Sequence, residues 1–295
     1  VGLFMISQAS LQQLLSGNKI MSIRAKNIYL WAICATIFTW VSGIFEIIQF
    51  YKLVTPLIVS FFLVILTSYT SNKFNKYLSY ILFFTVSITS IFGFTEALTG
   101  FNSASANPLL FGISFYTASL GYLLYVNSSL QMDDALKVSN PLLLFSGPLA
   151  LFLKSHLHMP FKKRVKYYFP FFLIGLFFYQ IIGVPLTVSL TLIEKTDLIS
   201  SILFATIFEL FVYANFCGLS LCIYGLFGML GFKVPLNFKQ PFSSNNVIEF
   251  WRGWHLSLSK VLKVLFYLPM RKNYSAGVAL LFVYLASAMW HGVTL

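Results

Sequence analysis

The chain has 295 residues, of which 58% are hydrophobic, 18% aromatic and only 9% charged. A soluble globular protein carries about 25% charged residues, so the composition excludes an ordinary water-soluble domain and indicates a polytopic membrane protein. The net charge of +12 comes from short Lys and Arg clusters between apolar runs, which is typical of cytoplasmic loops rather than of a nucleic-acid-binding surface. We therefore expect a multi-pass protein of the cytoplasmic (inner) membrane that contacts membrane lipid and has no nucleic-acid partner.

Apolar runs long enough to cross a bilayer recur through the first half of the chain. They predict spans at Asn27–Ile48, Leu53–Thr70, Tyr77–Phe94 and Leu109–Val126. The next apolar run, Pro141–Leu153, is too short for a standard span and contains Gly147-Pro148. A re-entrant segment there keeps the basic cluster that follows it on the cytoplasmic side, as the distribution of positive charge requires.

The second half of the chain opens with a predicted span at Phe169–Leu192. The following run, Ile199–Phe232, carries a single charge, Glu209, and several glycines. This pattern predicts one long helix, tilted or broken, that packs closely through its glycines. Glu209 needs a partner or water at such a depth, and a structural pair within the helical bundle is at least as well supported as catalysis. The last predicted span is Tyr274–Trp290.

Between these spans, Val247–Leu265 has apolar residues at helical spacing on one face and polar residues opposite, which predicts an amphipathic helix at the membrane interface. On such a helix Arg252 and Ser259 lie three residues before and four residues after His255, so the three side chains share one side. A cavity lined by them could hold the phosphate of an acyl carrier or a polar acceptor.

His291, directly after Trp290, ends the last apolar run. An ionisable group at membrane depth is costly unless it pairs, faces water or performs chemistry, so His291 is a functional candidate, although an interfacial histidine beside a membrane-belt tryptophan is the competing interpretation. The chain contains no Gly-x-Ser-x-Gly sequence, no phosphate-binding loop and no metal-ligand spacing. A histidine base therefore fits the sequence better than a serine nucleophile or a metal site.

Several segments, in order, resemble the membrane-bound O-acyltransferase (MBOAT) family, in the bacterial branch that modifies cell-envelope polymers. They are Tyr213–Gly218, Gly228–Phe232, Pro235–Phe238, Glu249–Ser259, Tyr267–Pro269 and Met289–Gly292, with thinner matches at Gly112–Thr117 and Ser146–Pro148. The resemblance implies one all-α membrane domain over 1–295, a transmembrane bundle with re-entrant and interfacial amphipathic helices. Because the family continues for several helices past Trp-His-Gly, we expect the chain to be truncated at its C-terminus.

The resemblance also implies a reaction, in which an acyl group, acetyl in our leading hypothesis, passes from a cytoplasmic thioester to hydroxyls of an extracytoplasmic polysaccharide. His291 is then the general base and His255 the second functional histidine. The residues expected to contact substrate are Trp254, Arg252, Ser259, Trp290 and Asn215. The expected co-substrate is acetyl-CoA or an acyl carrier protein, with no tightly bound cofactor, and a separate extracytoplasmic acyltransferase is a further expected partner. The chain differs from the family pattern at Asn215, Cys217 and Gly253.

Two alternatives remain open at this point. Within the family, the chain could transfer D-alanine from a carrier protein to teichoic acid. Outside it, a membrane transporter or a non-enzymatic scaffold would also be polytopic, although a transporter usually shows internal repeats that this sequence lacks.

Overall fold

We describe the protein from a computed structural model, which covers residues 23–42, 47–91, 108–144, 146–155, 159–194 and 196–291. The described chain is mostly helical and divides into two compact units. The first unit is Leu153–Leu256, and the second combines Met21–Phe152 with Ser257–Leu295. Residues 92–107, His156, His158 and Gly292 lie outside the described residues.

The helices of the second unit come from both ends of the chain. Within the described residues its N-terminal part contains α1 (Ile23–Ser42), α2 (Ile47–Tyr69), α3 (Asn72–Phe83), α4 (Thr85–Ile91), α5 (Pro108–Asn127) and α6 (Met132–Val138). Its last three are α11 (Leu256–Leu262), α12 (Leu268–Met270) and α13 (Ala276–His291), with a π-helical turn at Lys263–Tyr267 between α11 and α12.

The first unit is built on a hairpin of two long antiparallel helical rods. One rod is α7 (Phe161–Leu176), a π-helical stretch at Phe177–Gly183 and α8 (Val184–Leu192); the other is α9 (Leu198–Leu230). Two short strands, β1 (Lys154–Ser155) and β2 (Phe232–Lys233), pair antiparallel at the base of the hairpin. A 3₁₀ turn at Pro241–Ser243 then leads to α10 (Val247–Gly253).

Glycines bring the two rods of the hairpin into backbone contact. A methyl group placed on Gly175 would lie 2.5 Å from the amide nitrogen of Cys222 and 2.7 Å from the carbonyl oxygen of Gly218. A methyl group on Gly225 would lie 2.6 Å from the amide nitrogen of Phe172. Small residues that allow close backbone approach are the usual way in which membrane helices associate. The prediction of one long helix packed through its glycines is therefore confirmed.

Both ends of α9 are closed by specific hydrogen bonds. Asp197 caps the N-terminus through a reciprocal pair of bonds with Ser200. At the other end Gly231 adopts a left-handed conformation (φ 95°), and the buried guanidinium of Arg164 donates to the carbonyl oxygen of Met229 over 3.1 Å. Arg164 also donates to the carbonyl of Met159 over 2.8 Å. The bond to Met229 satisfies a carbonyl that the end of α9 otherwise leaves without a donor, and the bond to Met159 joins Arg164 to the segment before α7.

Buried polar side chains tie the helices of the second unit together. The amide of Asn75 donates to the carbonyl oxygens of Thr67 and Ser128, over 2.9 and 2.7 Å. The indole of Trp31 donates to the carbonyl of Ser139 over 3.0 Å, which joins α1 to the end of α6. Because buried polar groups cost free energy unless they are hydrogen-bonded, these bonds hold α3 against α2 and the end of α5, and α1 against the end of α6.

The segment predicted to be re-entrant contains no long helix. Residues 141–144 form turns, Gly147 has φ 86°, and Pro148–Phe152 is a 3₁₀ turn. Leu149 is fully buried and Ala150 almost so. Irregular backbone within a membrane is tolerated only where protein buries it or where it lines a cavity, so the geometry suits a non-spanning segment.

Pro269 leaves a carbonyl without its helical donor, and a tyrosine replaces that donor. Pro269 has no amide hydrogen, so it cannot donate to the carbonyl of Leu265, four residues earlier. A π-helical turn, Lys263–Tyr267, precedes this proline. The Tyr80 hydroxyl donates to the Leu265 carbonyl over 3.2 Å, and the Tyr80 ring packs on Phe266 with centroids 5.8 Å apart.

We expect Tyr80→Phe to lower the free energy of unfolding by about 1–2 kcal/mol, because the Leu265 carbonyl then loses its donor while the ring packing survives. The control is Tyr77→Phe on the same helix, whose ring is exposed. Thermal unfolding of the two purified variants measures the difference, and equal midpoints would show that this hydrogen bond contributes nothing.

Most of the predicted spans are helices. The runs Asn27–Ile48, Leu53–Thr70, Leu109–Val126 and Tyr274–Trp290 correspond to α1, α2, α5 and α13, and Phe169–Leu192 lies within the α7–α8 rod. Tyr77–Phe94 differs, because α3 and α4 are separate helices that meet at Phe84. Among the described residues two helices are long and apolar enough to cross a membrane, Phe161–Leu192 and Leu198–Leu230. The number of crossings stays a prediction.

Candidate active site

The structure breaks the predicted amphipathic helix at the first of the two tryptophan–histidine pairs. The helix α10 ends at Gly253 and α11 begins at Leu256, so Trp254 and His255 form the junction. The expectation of one continuous helix over Val247–Leu265 is therefore wrong. Two backbone hydrogen bonds hold the junction: the Lys239 amide donates to the Gly253 carbonyl, and the Leu256 amide donates to the Asn237 carbonyl, both over 2.9 Å.

His255 is buried and has a left-handed backbone conformation, with φ 42° and 8% of its surface exposed. Residues other than glycine seldom adopt positive φ, and such strained conformations cluster at functional sites. The imidazole lies against two aromatic rings, with centroids 5.0 Å from Phe216 and 6.1 Å from Phe238. Phe216 belongs to α9, so the hairpin and the 232–246 connection together position His255.

Trp254 is the centre of an aromatic group that we call the Trp254 cluster, made of Tyr213, Phe238, Phe242, Phe250 and Trp254. Its indole stacks on Tyr213 and Phe250, with centroid distances of 5.9 and 5.4 Å, and meets Phe238 edge-on at 5.2 Å. Offset and edge-on contacts of this kind add about 0.5–1.5 kcal/mol each beyond the burial of area. The cluster therefore anchors the segment that carries His255 to α9.

Gly253 has no room for a side chain. A methyl group there would lie 2.8 Å from the carbonyl oxygen of Lys239. A glycine at this position, where the chain differs from the family pattern, therefore leaves room for the backbone of residues 237–239. The same close approach of the backbone allows the two hydrogen bonds on either side of His255.

The break separates the three residues that helical spacing had grouped. Arg252 ends α10 and is exposed, His255 is buried in the junction, and Ser259 lies exposed in α11. Because no single helix carries them, the argument from spacing does not place Arg252 and Ser259 on one side with His255. The spacing argument fails for a physical reason: the bonds to Asn237 and Lys239 outweigh the local helical propensity, and the grouping itself stays a prediction.

Asn215 faces the other rod of the hairpin. Its side-chain amide donates to the Phe211 carbonyl over 2.9 Å, and a methyl group on Gly183 would lie within 3.0 Å of its side-chain atoms. Tyr213 and Phe216, its neighbours on α9, are the residues that contact Trp254 and His255. Sequence analysis did not single out Phe216, although its spacing of three from Tyr213 was a usable signal.

The second tryptophan–histidine pair ends α13 in the other unit. Trp290 is buried, with its ring centroid 5.3 Å from Phe115 and 6.1 Å from Phe83. The Ser87 hydroxyl donates to the Met289 carbonyl and ties α13 to α4. His291 is exposed, and its ring meets the indole of Trp290 edge-on at 4.8 Å. Trp290 thus fixes the end of α13, the helix that carries His291.

No group of three or more His, Cys, Asp or Glu that could hold a metal ion occurs in the part of the chain that the structure describes. His255 and His291 belong to different compact units. The chemistry that each can perform is that of an imidazole, which can accept, hold or donate one proton.

The positive φ of His255 leads to a prediction about the stability of variants at this position. Both His255→Gly and His255→Ala remove the imidazole, but only glycine adopts positive φ without steric cost, so we expect the glycine variant to be the more stable by about 1 kcal/mol. At Ser259, inside α11, the order should be reversed, because alanine exceeds glycine in helix propensity by about 1 kcal/mol. Thermal midpoints of the four variants measure both orders, and an alanine preference at position 255 would refute the strained conformation.

Comparison with known proteins finds a family match in the second half of the chain. Residues 153–295 match the family model of MBOAT, the membrane-bound O-acyltransferase family. The match includes both tryptophan–histidine pairs and the whole hairpin, and it begins where the first unit begins in the described chain.

Individual relatives are similar over shorter stretches. The chain is 40% identical over 85 residues to the probable alginate O-acetylase AlgI of Pseudomonas syringae pv. tomato, which is 28% of this chain and 16% of that protein. It is 35% identical over 86 residues to the peptidoglycan O-acetyltransferase of Helicobacter pylori, with the same two shares. It is 25% identical over 135 residues to the teichoic acid D-alanyltransferase of Bacillus subtilis, or 41% of this chain and 34% of that protein.

These matches cover far less than two thirds of each relative, so they compare segments rather than whole proteins. The family model and the three relatives nevertheless agree on one class of protein, the acyl and D-alanyl transferases of membranes and cell envelopes. Residues 153–295 of this chain are similar to the membrane-bound O-acyltransferase family.

Proposed function

We propose that the protein is a membrane O-acyltransferase that moves an acyl group, acetyl in the leading form, from a thioester donor on the cytoplasmic side to hydroxyls of a cell-envelope polysaccharide outside. The observation that carries the proposal is that two tryptophan–histidine pairs lie within the matched region, which resembles relatives named for alginate and peptidoglycan O-acetylation. Acetyl-CoA or an acyl carrier protein would supply the acyl group, and no tightly bound cofactor is needed.

His291 is the general base of this reaction. Its neutral imidazole takes the proton from the acceptor hydroxyl while the hydroxyl oxygen attacks the thioester carbonyl. The tetrahedral intermediate then expels the thiolate, which takes the proton back from the imidazolium. The bond formed is the ester C–O bond and the bond broken is the thioester C–S bond, so atoms and charge balance. The exposed position of His291 at the end of α13 supports this role.

His255 and the substrate-contacting residues complete the proposal. His255, buried beside the Trp254 cluster, is the second functional histidine and lines the path that connects the two sides of the membrane. Trp254, Arg252, Ser259, Trp290 and Asn215 are proposed substrate contacts. For Trp290 there is a supporting observation: its buried indole N–H has no hydrogen-bond acceptor among the described residues, so an acceptor on a ligand or an ordered water would complete it.

A second candidate within the family is D-alanyl transfer from a carrier protein to teichoic acid. It is favoured by the Bacillus subtilis relative, whose match covers a larger share of both chains than the alginate relatives do, though at lower identity. The two candidates use the same base and the same kind of bond change, and they differ in the acyl group and in the acceptor. A transporter or a non-enzymatic scaffold is the remaining alternative.

The acid released from the cell envelope distinguishes these candidates. We expect mild alkaline treatment of polysaccharide from cells that carry the full-length gene to release acetate, and cells that lack the gene to release little. Release of D-alanine from teichoic acid instead would favour the second candidate. Equal ester content with and without the gene would contradict acyl transfer altogether and favour the transporter or scaffold.

A further inference from the structure

The base of the hairpin, as far as the structure describes it, is basic and carries no carboxylate. Its exposed lysines are Lys154 in β1, Lys233 in β2, and Lys162, Lys163 and Lys166 in α7. The bond from Arg164 to the Met229 carbonyl holds the start of α7 against the end of α9, so these segments share one end of the hairpin. The carboxylates described in this unit are elsewhere: Glu194 and Asp197 at the other end of the hairpin, Glu209 halfway along α9, and Glu249 in α10.

The lysines at this end are held in like-charged pairs. Lys154 and Lys233 are directly opposite each other where β1 pairs with β2. Lys162 and Lys166 are four residues apart on α7. Like charges that are directly opposite on paired strands, or four residues apart on a helix, repel each other and destabilise the fold. An anion bound between two such lysines relieves their repulsion, so the arrangement favours an anionic partner.

The helical pair continues along α7 as a line of apolar side chains. Lys162, Lys166, Phe169, Leu173 and Leu176 are separated by four, three, four and three residues, so they lie on one side of the helix. All five are exposed, Phe169 by 44% and Leu173 by 48%. We call this line of residues the Lys162 stripe.

The Lys162 stripe is on the side of α7 that faces away from α9. The buried residues Arg164, Tyr168 and Gly175 form the side that packs on α9, where the Tyr168 ring lies against Gly228. Arg164 is two residues after Lys162, which is about 200° around the helix. The other rod of the hairpin therefore leaves the stripe uncovered.

The change from charged to apolar side chains along the stripe marks the membrane boundary. Lys166 is the last charged residue before a run, residues 167–193, that carries no charge. Tyr167, next to it, is 54% exposed, and exposed tyrosines are typical of the membrane–water interface. The two lysines therefore lie at the depth of the lipid headgroups, on the side where positive charge accumulates, and Phe169 and Leu173 lie at the depth of the acyl chains.

We propose that the Lys162 stripe binds an anionic phospholipid of the cytoplasmic leaflet. Its headgroup phosphate lies between the ammonium groups of Lys162 and Lys166, and one acyl chain lies along Phe169, Leu173 and Leu176. A phospholipid combines an anion and an apolar chain in the order and at the depth that the stripe requires. A soluble acidic protein would reach the lysines but not the apolar side chains below them.

The charge of the headgroup is the feature that the stripe selects. A zwitterionic phospholipid offers the same acyl chains, but its own cation offsets the charge of its phosphate, so it binds less tightly. Clusters of lysines immediately beside a membrane helix attract anionic lipids in this way. The proposal does not depend on acyl transfer.

The test compares phosphatidylglycerol, which is anionic, with phosphatidylcholine, which is zwitterionic. Native mass spectrometry of the purified full-length protein in detergent counts the lipids bound during a titration and gives the dissociation constant of the first. A lysine beside anionic headgroups strengthens binding about fivefold, so we expect phosphatidylglycerol to bind about 25-fold more tightly than phosphatidylcholine. The double variant Lys162→Gln with Lys166→Gln should lose most of this preference.

The matched control is Lys263→Gln with Lys272→Gln, which removes the same charge from two exposed positions in the other unit and should keep the preference. Equal losses in the two double variants would show a diffuse attraction to positive charge and overturn the proposal. So would equal binding of the two lipids to the unaltered protein.

Two competitors separate a lipid from other anions. The water-soluble headgroup alone, glycerophosphoglycerol, should not displace phosphatidylglycerol, because it lacks the acyl chain that packs on Phe169 and Leu173. An acidic acyl carrier protein should not displace the lipid either. Displacement by the headgroup would indicate a site for free phosphate compounds, and displacement by the carrier protein would indicate a protein-docking surface; either result would overturn the proposal.

Discussion

Replacing His291 by alanine is expected to lower the rate of acyl transfer by about 10²- to 10⁴-fold, the usual contribution of a general base. The side chain is exposed at the end of α13, so its removal leaves the packing of Trp290 on Phe115 and Phe83 intact. The measurement is the initial rate at which the purified full-length protein transfers label from an acyl thioester to an acceptor hydroxyl.

The control for this experiment is His158→Ala, which removes a histidine that belongs to neither tryptophan–histidine pair. Its rate should equal that of the unaltered protein. A His291→Ala rate within about threefold of the control would assign the base to another residue, since a general base contributes at least about 10²-fold. Thermal midpoints of both variants separate a loss of chemistry from a loss of folding.

The largest effect on stability is expected where glycines bring α7 and α9 of the hairpin into backbone contact. Gly175→Ala places a methyl group 2.5 Å from the Cys222 amide nitrogen and 2.7 Å from the Gly218 carbonyl oxygen. Both atoms belong to the backbone of α9, so neither can move without displacing the helix. Overpacking of this kind costs about 1–3 kcal/mol, and we expect a matching fall in the thermal midpoint.

The control is Gly277→Ala in α13, where a methyl group would meet no atom within 4 Å. There the better helix propensity of alanine should leave stability unchanged or raise it by up to about 1 kcal/mol. The same chemical change is thus expected to act with opposite sign in the two helices. If both variants were equally stable, the close approach of α7 and α9 would be contradicted.

Composition and periodicity predicted the long helices because local sequence decides them. The 33-residue helix α9 is mostly apolar, begins after an Asp197 cap and ends before Gly231, and each of these signals is visible in the sequence. Its glycines predicted the close packing with α7. Helices set by such local signals can be derived without tertiary information.

The junction at His255 could not be derived in this way. The sequence from Gly253 to Leu256 contains no proline, and its spacing of apolar residues continues across the break. The break follows from tertiary hydrogen bonds to the backbone at Asn237 and Lys239, residues that a helical pattern does not connect to it. The helical-spacing argument for grouping Arg252 and Ser259 with His255 does not hold for this reason.

The π-helical turns and the exposure of Glu209 are two further features that the sequence analysis did not predict. A π-helical stretch precedes both Pro185 and Pro269, so the prolines were a signal that sequence analysis did not use. For Glu209, the expectation of a partner within the bundle followed from the free-energy cost of an unpaired charge inside a membrane. The carboxylate points away from the rod that packs on α9, and helix orientation is a property of the assembled hairpin.

The most direct test of the proposed reaction is the ester content of cell-envelope polysaccharide from cells that carry the full-length gene or its His291→Ala variant at equal membrane levels. Histidine-dependent acyl transfer predicts that the variant loses ester-linked acetate, or ester-linked D-alanine if teichoic acid is the acceptor. Unchanged ester content in the variant would contradict the assignment of His291 as the base and, with it, the proposed mechanism.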